Sequence, residues 1–358
     1  MIQNVSRNKN LFREYYGTAI IKTIFFGSIF ISLVIVIMSF FPLSNISIYS
    51  VFCLAVANLI FLKLSDVAKH AFISMGLLKY TARIIALFSV NRFVASLVLI
   101  GLFPHPSLFI WSILYCLATL LTALIGSILV IKTIGSPQFV LSNINQKLGQ
   151  GFAFSIGTSA QNIYNDLDKS MLAKLATTRA AGIYGAAYHI LSVAFMPVQS
   201  IMVASFRDFF QQGATGIKSS FNFCKKLLPL SLGYSLLAIV GLLIFAPLLP
   251  KIIGDKYSDS VVALMWLSPI VFLRTMHFFA ANILTGADYQ STRSTIQVII
   301  AALNGILNFW LISSYQWQGA ICATIISELL LMVLLWGSVY IYSQRSSLDF
   351  FGKSGNRQ

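Results

Sequence analysis

Residues 23–62 read TIFFGSIFISLVIVIMSFFPLSNISIYSVFCLAVANLIFL, and these 40 residues contain no charged side chain. About 20 predominantly apolar residues are enough for one helix to cross a membrane, and a buried helix of a soluble protein needs no such length. Pro42 lies near the middle of the run, where its ring and its missing N–H disfavour a continuous helix. The run therefore predicts two membrane-spanning helices joined by a short turn.

The composition of the whole chain points the same way. Of 358 residues, 57% are hydrophobic and 10% are charged, whereas an ordinary soluble domain has roughly 25% charged residues. The charges are unbalanced, with 25 Lys and Arg against 10 Asp and Glu, a formal net charge of +15. So few charges do not cover the surface of a soluble fold of this size. The composition thus excludes a soluble enzyme, a disordered tail and a nucleic-acid-binding domain.

Apolar runs recur along the rest of the chain, and each predicts a helix because lipid offers the backbone no hydrogen-bond partners. We predict ten spans, of which the fifth is the most polar. They cover residues 17–41, 46–63, 83–103, 107–131, 148–168, 180–206, 227–250, 261–286, 294–313 and 318–343. The linkers are short and leave no room for a separate soluble domain. The expected fold class is an all-α integral membrane protein.

The positions of Lys and Arg predict the orientation of the spans, because basic residues favour the cytoplasmic side. Of the 25 basic residues, 18 lie in the amino terminus, alternate linkers and carboxyl-terminal tail, and five lie on the opposite side. The remaining two, Arg92 and Arg274, lie inside spans. We therefore expect both termini in the cytoplasm, in agreement with an even number of spans.

Several spans carry polar side chains at helical spacing, which is typical of a face turned toward water or a polar ligand. The fifth span has a broad polar face and the ninth has a narrower one. Their members include Ser155, Ser159, Asn162, Asp166, Asp168 and Lys169 in the fifth span, and Gln297, Asn304 and Asn308 in the ninth. Hydrogen bonds between helices, each worth about 0.6–2 kcal/mol, are the alternative explanation for any one of these residues.

The ionisable residues inside spans are the strongest candidates for function. A charge at mid-membrane costs roughly 2.5–3.5 kcal/mol even on insertion scales, so it usually lines a cavity or pairs with another group. This favours a functional role for Arg92 and Arg274, although Arg274 has a possible structural partner in Glu328. His277, one turn after Arg274, is equally compatible with packing. Glu328 is either a neutral helix contact or a site for a proton or cation.

A longer segment carries a family resemblance. Residues 151–210 read GFAFSIGTSAQNIYNDLDKSMLAKLATTRAAGIYGAAYHILSVAFMPVQSIMVASFRDFF. This stretch resembles the central signature of bacterial polysaccharide-biosynthesis proteins, the O-antigen or oligosaccharide flippases. The matching elements are the segment NDLDK at 165–169, Met171-Leu172, Ala181-Gly182-Ile183-Tyr184, Ala186-Ala187-Tyr188, Pro197 and Phe209-Phe210.

The resemblance implies membership of the multidrug/oligosaccharidyl-lipid/polysaccharide exporter (MOP) superfamily, with two helical lobes around a central cavity. The expected lobes are residues 1–140, with four of six helices, and residues 141–345, with six, followed by a cytoplasmic tail at 346–358. The signature helix is the fifth here and the seventh in the family, so the first two family helices are expected to be missing. The implied activity is transfer of undecaprenyl-diphosphate-linked oligosaccharide across the bacterial inner membrane by alternating access.

The resemblance also suggests roles for the polar residues. The expected cavity residues are Arg92, Arg274, His277, Asn162, Tyr184, Tyr188, Gln297 and Asn304. The two arginines would hold the diphosphate and the tyrosines would stack on sugars, unless they are ordinary interfacial tyrosines. The candidates for binding a coupling ion are Asp166, Asp168 and Glu328. We expect Arg92→Ala or Arg274→Ala to abolish glycan export at unchanged protein levels.

Two other functions stay open at this stage. A cation-coupled multidrug exporter of the same superfamily is expected to have a more acidic cavity. A membrane enzyme of glycan assembly, a polymerase or an acyltransferase, is expected to show a large periplasmic loop or a motif around His70 or His105. The predicted partners are the lipid-linked oligosaccharide, membrane lipids and other glycan-assembly membrane proteins. No catalytic residue, cofactor, metal or nucleic acid is predicted.

Overall fold

The computed structural model describes residues 1–40, 47–139, 148–254 and 257–354. Side chains are described at all of these positions except 148–154, 158, 161, 162, 165, 252, 253 and 346–354. Within these ranges every regular element is helical. The α-helices are α1 (Ile2–Arg7), α2 (Phe12–Phe40), α3 (Ile48–Val56), α4 (Leu62–Met75), α5 (Leu78–Leu102), α6 (Leu108–Thr133), α7 (Leu148–Leu175), α8 (Thr178–Gly213), α9 (Ile217–Phe245), α10 (Leu249–Ile253), α11 (Asp259–Leu267), α12 (Ile270–Gly286) and α13 (Gln290–Ser354). A π-helical segment, Ala57–Phe61, joins α3 to α4.

Eight helical stretches in the described ranges are long and apolar enough to cross a membrane. Helix α7 has 28 residues but is more polar than these eight, as the sequence indicated for 148–168. Helices α11 and α12 form one such stretch, Asp259–Gly286. The predicted all-α membrane fold is confirmed.

Helix α13 is a hairpin of two helices rather than one long rod. Gln316 has φ 51° and ψ −129°, which is not a helical conformation. The hydroxyls of Thr292 and Tyr342 lie 2.9 Å apart although 50 residues separate them, a length that would span about 75 Å as a straight helix. The chain therefore reverses at Gln316. We call its two halves α13a (290–315) and α13b (317–354); they contain the predicted spans 294–313 and 318–343.

The chain divides into two compact units, Met1–Gln146 and Lys147–Gln358. The lobe boundary predicted between residues 140 and 141 lies outside the described residues. The described helices α1–α6 belong to the first unit and α7–α13 to the second. The predicted lobe composition and the cytoplasmic location of the termini stay predictions.

The first unit has its core where α1 and the start of α2 meet α4, α5 and α6. Phe12 and Tyr16 of α2 are 2% and 1% exposed, and they pack in one cluster with Phe72, Ile84 and Val130. Polar contacts add to this packing, since Nδ2 of Asn91 in α5 donates to Oγ1 of Thr122 in α6 over 3.0 Å. The short helix α1 and the first turn of α2 are thus part of the folded unit.

The segment after α6, residues 134–139, runs back along the first turns of α2. The Gln138 N–H donates to the carbonyl of Arg13 over 2.9 Å. A Cβ atom on Gly17 would lie 2.1 Å from the carbonyl oxygen of Gln138. Only glycine therefore permits this approach of two backbones.

We expect Gly17→Ala to push residues 134–139 away from α2 and to lower the unfolding free energy by about 1–3 kcal/mol, the usual cost of overpacking. Thermal unfolding of the detergent-solubilised protein measures this effect. Gly101→Ala is the matched control, because a Cβ on Gly101 meets no atom within 4 Å. Equal melting temperatures for the two variants would contradict the packing.

The second unit is built around α12, which contacts α8, α9 and α13. Its residues Ile270, Phe279 and Leu284 are fully buried. A helix that is buried on nearly all sides places any polar side chain on it inside the protein. Arg274 and His277 lie in the middle of this helix.

Candidate functional site

The two ionisable residues predicted in the eighth and tenth spans form a buried ion pair. Nε of Arg274 in α12 donates to Oε1 of Glu328 in α13b over 2.7 Å. Arg274 is 7% exposed and Glu328 is 0% exposed. Removal of either charge would leave the other buried without compensation. The pair therefore joins α12 to α13b, as the structural alternative for Arg274 proposed.

His277 shares the same carboxylate. It follows Arg274 by three residues, so both side chains lie on one face of α12. Nε2 of His277 lies 2.8 Å from Oε2 of Glu328, and His277 is 2% exposed. Within the described part of the chain neither of these two atoms has an aligned hydrogen-bond partner. Each oxygen of Glu328 thus faces a different side chain of α12.

Tyr188 of α8 connects Arg274 to α7. Nη2 of Arg274 donates to the Tyr188 hydroxyl over 2.5 Å, and the guanidinium carbon lies 5.1 Å from the ring centroid. Nζ of Lys169 lies 4.2 Å from the centroid of the same ring. Cations are attracted to the negative face of an aromatic ring. One tyrosine ring therefore holds a cation from α7 and a cation from α12.

A second acidic residue is buried beside the first pair. The Tyr184 hydroxyl donates to Oδ2 of Asp168 and lies 3.0 Å from Oγ1 of Thr324. The rings of Tyr184 and Tyr188 stack with their centroids 5.7 Å apart. Asp168 is 2% exposed, and its Oδ1 accepts the backbone N–H of Lys169 over 2.7 Å.

These contacts define one set of residues, here called the ion-pair cluster, which connects four helices of the second unit. Its members are Asp168 and Lys169 of α7, Tyr184 and Tyr188 of α8, Arg274 and His277 of α12, and Thr324 and Glu328 of α13b. In this conformation the cluster is closed. An anionic ligand reaches Arg274 only if the guanidinium leaves Glu328 or the helices separate.

The predicted sugar-binding role of the tyrosines needs a similar rearrangement. Tyr184 is 0% exposed and Tyr188 is 5% exposed, so neither ring has a free face for a sugar. Their contacts here hold α8 against α7 and α12. Sugar stacking by these rings stays a prediction for a different conformation.

The polar stripe predicted on 294–313 forms contacts between helices. Nδ2 of Asn308 donates to Oδ1 of Asn304 over 2.9 Å, and Nδ2 of Asn304 donates to Oγ of Ser327 in α13b over 3.2 Å. Gln297 is 4% exposed, and its Oε1 would lie 3.0 Å from a Cβ on Gly157 of α7. In this conformation the polar residues of span 294–313 therefore make contacts between helices, which was the alternative explanation for them.

The remaining predicted site residues are Asp166, Asn162 and Arg92. Asp166 is on the exposed edge of α7, where its Oδ1 lies 2.8 Å from Nζ of Lys169. Asn162 is in α7, but its side chain lies outside the described residues. Arg92 is an exposed residue of α5 in the first unit. In the second unit the structure therefore gathers Asp168, Tyr184, Tyr188, Arg274, His277 and Glu328, and Asp166 contacts Lys169 of this cluster from the exposed side.

Two members of the cluster were absent from the predicted site. Lys169 lies on the predicted polar face of the fifth span, and Thr324 lies one turn before Glu328, so helical spacing from a charged residue was the available signal. No group of three or more His, Cys, Asp and Glu within the described ranges is placed to hold a metal ion. The chemistry of the cluster is charge pairing and hydrogen bonding.

The similarity of the chain to known proteins agrees with this architecture. No protein-family model matches the chain. A curated protein of Escherichia coli strain K12, named "Putative O-antigen transporter", is 26% identical over 208 residues, which cover 56% of this chain and 49% of that protein. The chain thus spans about half the length of the curated relative that it matches.

Solved structures of two transporters are similar to the chain in fold. An outward-facing multidrug resistance transporter of the MATE family in the MOP superfamily superimposes with a TM-score of 0.78 at 12% identity, over 96% of this chain and 82% of that chain. A MOP-superfamily transporter from Pyrococcus furiosus, described as having a binding pocket of reverse polarity, gives 0.76 at 10% identity over 96% and 82%. The chain has the fold of the MOP-superfamily transporters, and the resemblance seen in residues 151–210 is confirmed at that level.

Proposed function

We propose that the chain acts in a flippase that transfers an undecaprenyl-diphosphate-linked oligosaccharide across the bacterial inner membrane by alternating access. The fold and the similarity to the Escherichia coli protein support a transporter of this superfamily. The observation that favours an anionic substrate is Arg92, an exposed cation in the middle of the apolar helix α5. Within the described ranges no acidic side chain pairs with it, and an exposed cation at this depth is suited to a diphosphate.

A reconstituted assay tests this function directly. Proteoliposomes receive a polyprenyl-diphosphate oligosaccharide in the outer leaflet, and a membrane-impermeant glycosidase then reports the fraction that stays accessible. We expect the oligosaccharide to become inaccessible to the glycosidase severalfold faster in proteoliposomes that contain the chain than in empty liposomes. Equal rates with and without protein would contradict the proposal.

Arg92 provides the sharpest variant for this assay. We expect Arg92→Ala to lower the flipping rate at least tenfold at unchanged protein level, because the diphosphate loses a charge-assisted partner. Arg83→Ala is the matched control, since it removes one positive charge from an exposed position of the same helix. Equal flipping rates for the two variants would show that Arg92 does not contact the substrate.

Cation-coupled export of small molecules is the second candidate. The buried carboxylates of Asp168 and Glu328 favour it, because buried acids are typical sites for a coupling ion. The same proteoliposomes loaded with a cationic dye distinguish the two functions. Gradient-driven dye efflux without oligosaccharide flipping would support export.

The proposed function also implies a cellular location, a topology and partners. The chain is a multi-pass membrane protein; the inner membrane, the cytoplasmic termini and contacts with other glycan-assembly proteins belong to the proposal. No catalytic role is proposed. Lipids with anionic head groups suit the basic linkers on the predicted cytoplasmic side.

A further inference from the structure

Helix α8 contains a proline in its interior. The helix runs for 36 residues, from Thr178 to Gly213, and Pro197 lies near its midpoint. Proline has no N–H, and its ring crowds the carbonyl four residues earlier, which here belongs to Val193. The helical hydrogen bond between residues 193 and 197 is therefore missing. Sharp bends in long helices occur at such positions.

Side-chain hydroxyls bind backbone carbonyls on both sides of Pro197. Oγ of Ser192 donates to the carbonyl of Tyr188 over 2.8 Å, and Oγ of Ser200 donates to the carbonyl of Met196 over 3.0 Å. Bonds of this kind compete with the backbone hydrogen bonds of a helix and often accompany bending. The backbone hydrogen bonding near the proline is therefore weakened from both sides.

The neighbouring helix α9 binds the backbone of α8 at the same turn. The hydroxyl of Tyr234 in α9 donates to the carbonyl of Ala194 over 2.9 Å. Ala194 directly follows Val193, whose carbonyl lacks its helical donor. The ring of Tyr234 packs against the core of the second unit, which holds the hydroxyl in place. The weakened turn of α8 is thus attached to α9 by one hydrogen bond.

The second half of α8, residues 198–213, is fixed to its neighbours by bulky side chains. The ring centroid of Phe209 lies 5.0 Å from that of Phe223 in α9 and 6.3 Å from that of Phe279 in α12. The backbone of the last residue of α8 also meets the end of α12 closely. Separation of packed rings leaves a cavity, which is costly. This half is therefore expected to stay with α9 and α12.

The first half, residues 178–192, has a smoother surface. Six of the eight residues from 180 to 187 are alanine or glycine, and small side chains form only shallow ridges on a helix. This half is attached by hydroxyl groups instead, since Tyr184 binds Asp168 and Tyr188 binds Arg274. A hydrogen bond that breaks when helices separate is replaced by one to water. Residues 178–192 can therefore leave their neighbours at a smaller cost than residues 198–213.

We propose that α8 bends at a hinge formed by residues 193–197, so that the arm formed by residues 178–192 moves away from α12 and α13b while residues 198–213 stay in place. The hydrogen bond from Tyr234 to Ala194 stabilises the closed conformation. This inference rests on the proposed flippase function, and it names the element whose movement opens the ion-pair cluster.

Movement of the arm changes what the two tyrosines of the cluster can contact. Tyr184 and Tyr188 lie on the arm, and in the closed conformation neither ring has a free face. When the arm moves, the rings separate from α12 and α13b and each gains a face for stacking on a sugar. A ligand shifts an equilibrium toward the conformation that it binds better. Sugars that stack on these rings therefore stabilise the open arm.

Hydrogen exchange of the purified chain in detergent, measured by mass spectrometry, tests the hinge without a ligand. We expect Tyr234→Phe, which removes only the hydroxyl, to speed exchange of the amides of residues 188–198 about fivefold, the population shift expected from one lost hydrogen bond. Exchange in residues 203–213 should stay as in wild type. Tyr340→Phe is the matched control, because Tyr340 is an exposed tyrosine of the same unit.

Pro197→Ala should act in the opposite direction. Alanine supplies an N–H to the carbonyl of Val193, so exchange in residues 188–196 should slow at least tenfold, and oligosaccharide flipping in proteoliposomes should slow severalfold. Pro197 is exposed, so the substitution removes no buried contact. Pro229→Ala is the matched control, because Pro229 is an exposed proline inside α9. It should leave both exchange in α8 and flipping unchanged.

The double variant Pro197→Ala with Tyr234→Phe separates a hinge from general loosening of the fold. If the Tyr234 hydroxyl acts on the hinge, its loss has no effect once alanine has closed the hinge, so the double variant should exchange like Pro197→Ala alone. Two results overturn the inference: equal acceleration of both halves of α8 by Tyr234→Phe, and unchanged exchange in Pro197→Ala.

The outcomes distinguish the hinge from the proposed function. The expected exchange pattern in a chain that does not flip oligosaccharide supports the hinge and contradicts the flippase. Flipping by wild type at the same rate as by Pro197→Ala supports the flippase and overturns the arm as its moving element. The expected exchange pattern together with slower flipping by Pro197→Ala supports both.

Discussion

Arg274→Ala should lower the unfolding free energy by about 3–5 kcal/mol, since it leaves a buried carboxylate without its permanent counter-charge. Glu328 is fully buried, and its other contact, His277, carries a charge only when protonated. The Tyr188 hydroxyl also loses the guanidinium that it accepts from. Thermal unfolding and the fraction of monodisperse protein after solubilisation measure the effect. The expectation from sequence alone, unchanged protein levels, therefore holds better for Arg92 than for Arg274.

The paired substitution Arg274→Met with Glu328→Met is the control for this loss. It removes both charges and keeps apolar volume, and buried pairs replaced in this way often lose no stability. We expect the double variant to melt within a few degrees of wild type. A wild-type melting temperature for Arg274→Ala alone would show that the pair does not hold α12 against α13b.

Much of the fold was predictable because lipid imposes simple rules. A long apolar run has to be a helix in a membrane, and each of the ten predicted runs falls largely on described helices, with residues 41 and 46 outside the described residues and residues 103 and 107 beyond the helix ends. Residues 148–168 illustrate the limit of hydropathy, since α7 is a full helix with a polar face. Helix α7 packs against α8 and α13; of its polar face Asp168 is buried, whereas Ser155, Ser159 and Asp166 are exposed.

The ion-pair cluster was less predictable because its pairs are distant in sequence. Arg274 and Glu328 are 54 residues apart and Asp168 and Tyr184 are 16 apart, and helical periodicity within one span does not reveal a partner on another. The cost of an unpaired charge in lipid indicated that Arg274 needs a partner. It did not show that His277 shares that partner or that Tyr188 bridges to Lys169. Those contacts arise from the packing of four helices.

The cluster and Arg92 call for different experiments because they differ in exposure. Arg92 lies on an exposed face of α5, so its substitution tests a ligand contact at small structural cost. Arg274 is 7% exposed, so its substitution tests folding first and binding second.

Gly286→Ala should be a strongly destabilising change in the second unit. Gly286 ends α12, and a Cβ there would lie 2.4 Å from the carbonyl oxygen of Phe209 in α8 and 3.3 Å from Oγ of Ser220 in α9. The reverse contact is closer still, since a Cβ on Gly213 would lie 2.1 Å from the carbonyl oxygen of Gly286. Backbone atoms of two packed helices have little room to move, so three helix ends must separate.

We expect Gly286→Ala to lower the unfolding free energy by at least about 3 kcal/mol, the upper end of overpacking costs, and to reduce the yield of folded protein. Gly233→Ala in α9 is the matched control, because a Cβ on Gly233 meets nothing within 4 Å. Alanine is a better helix former than glycine by about 1 kcal/mol, so the control should be as stable as wild type or more stable. Both substitutions replace glycine by alanine, but their expected effects on the unfolding free energy have opposite signs. Equal melting temperatures for the Gly286→Ala and Gly233→Ala proteins would show that α8, α9 and α12 do not meet at Gly286.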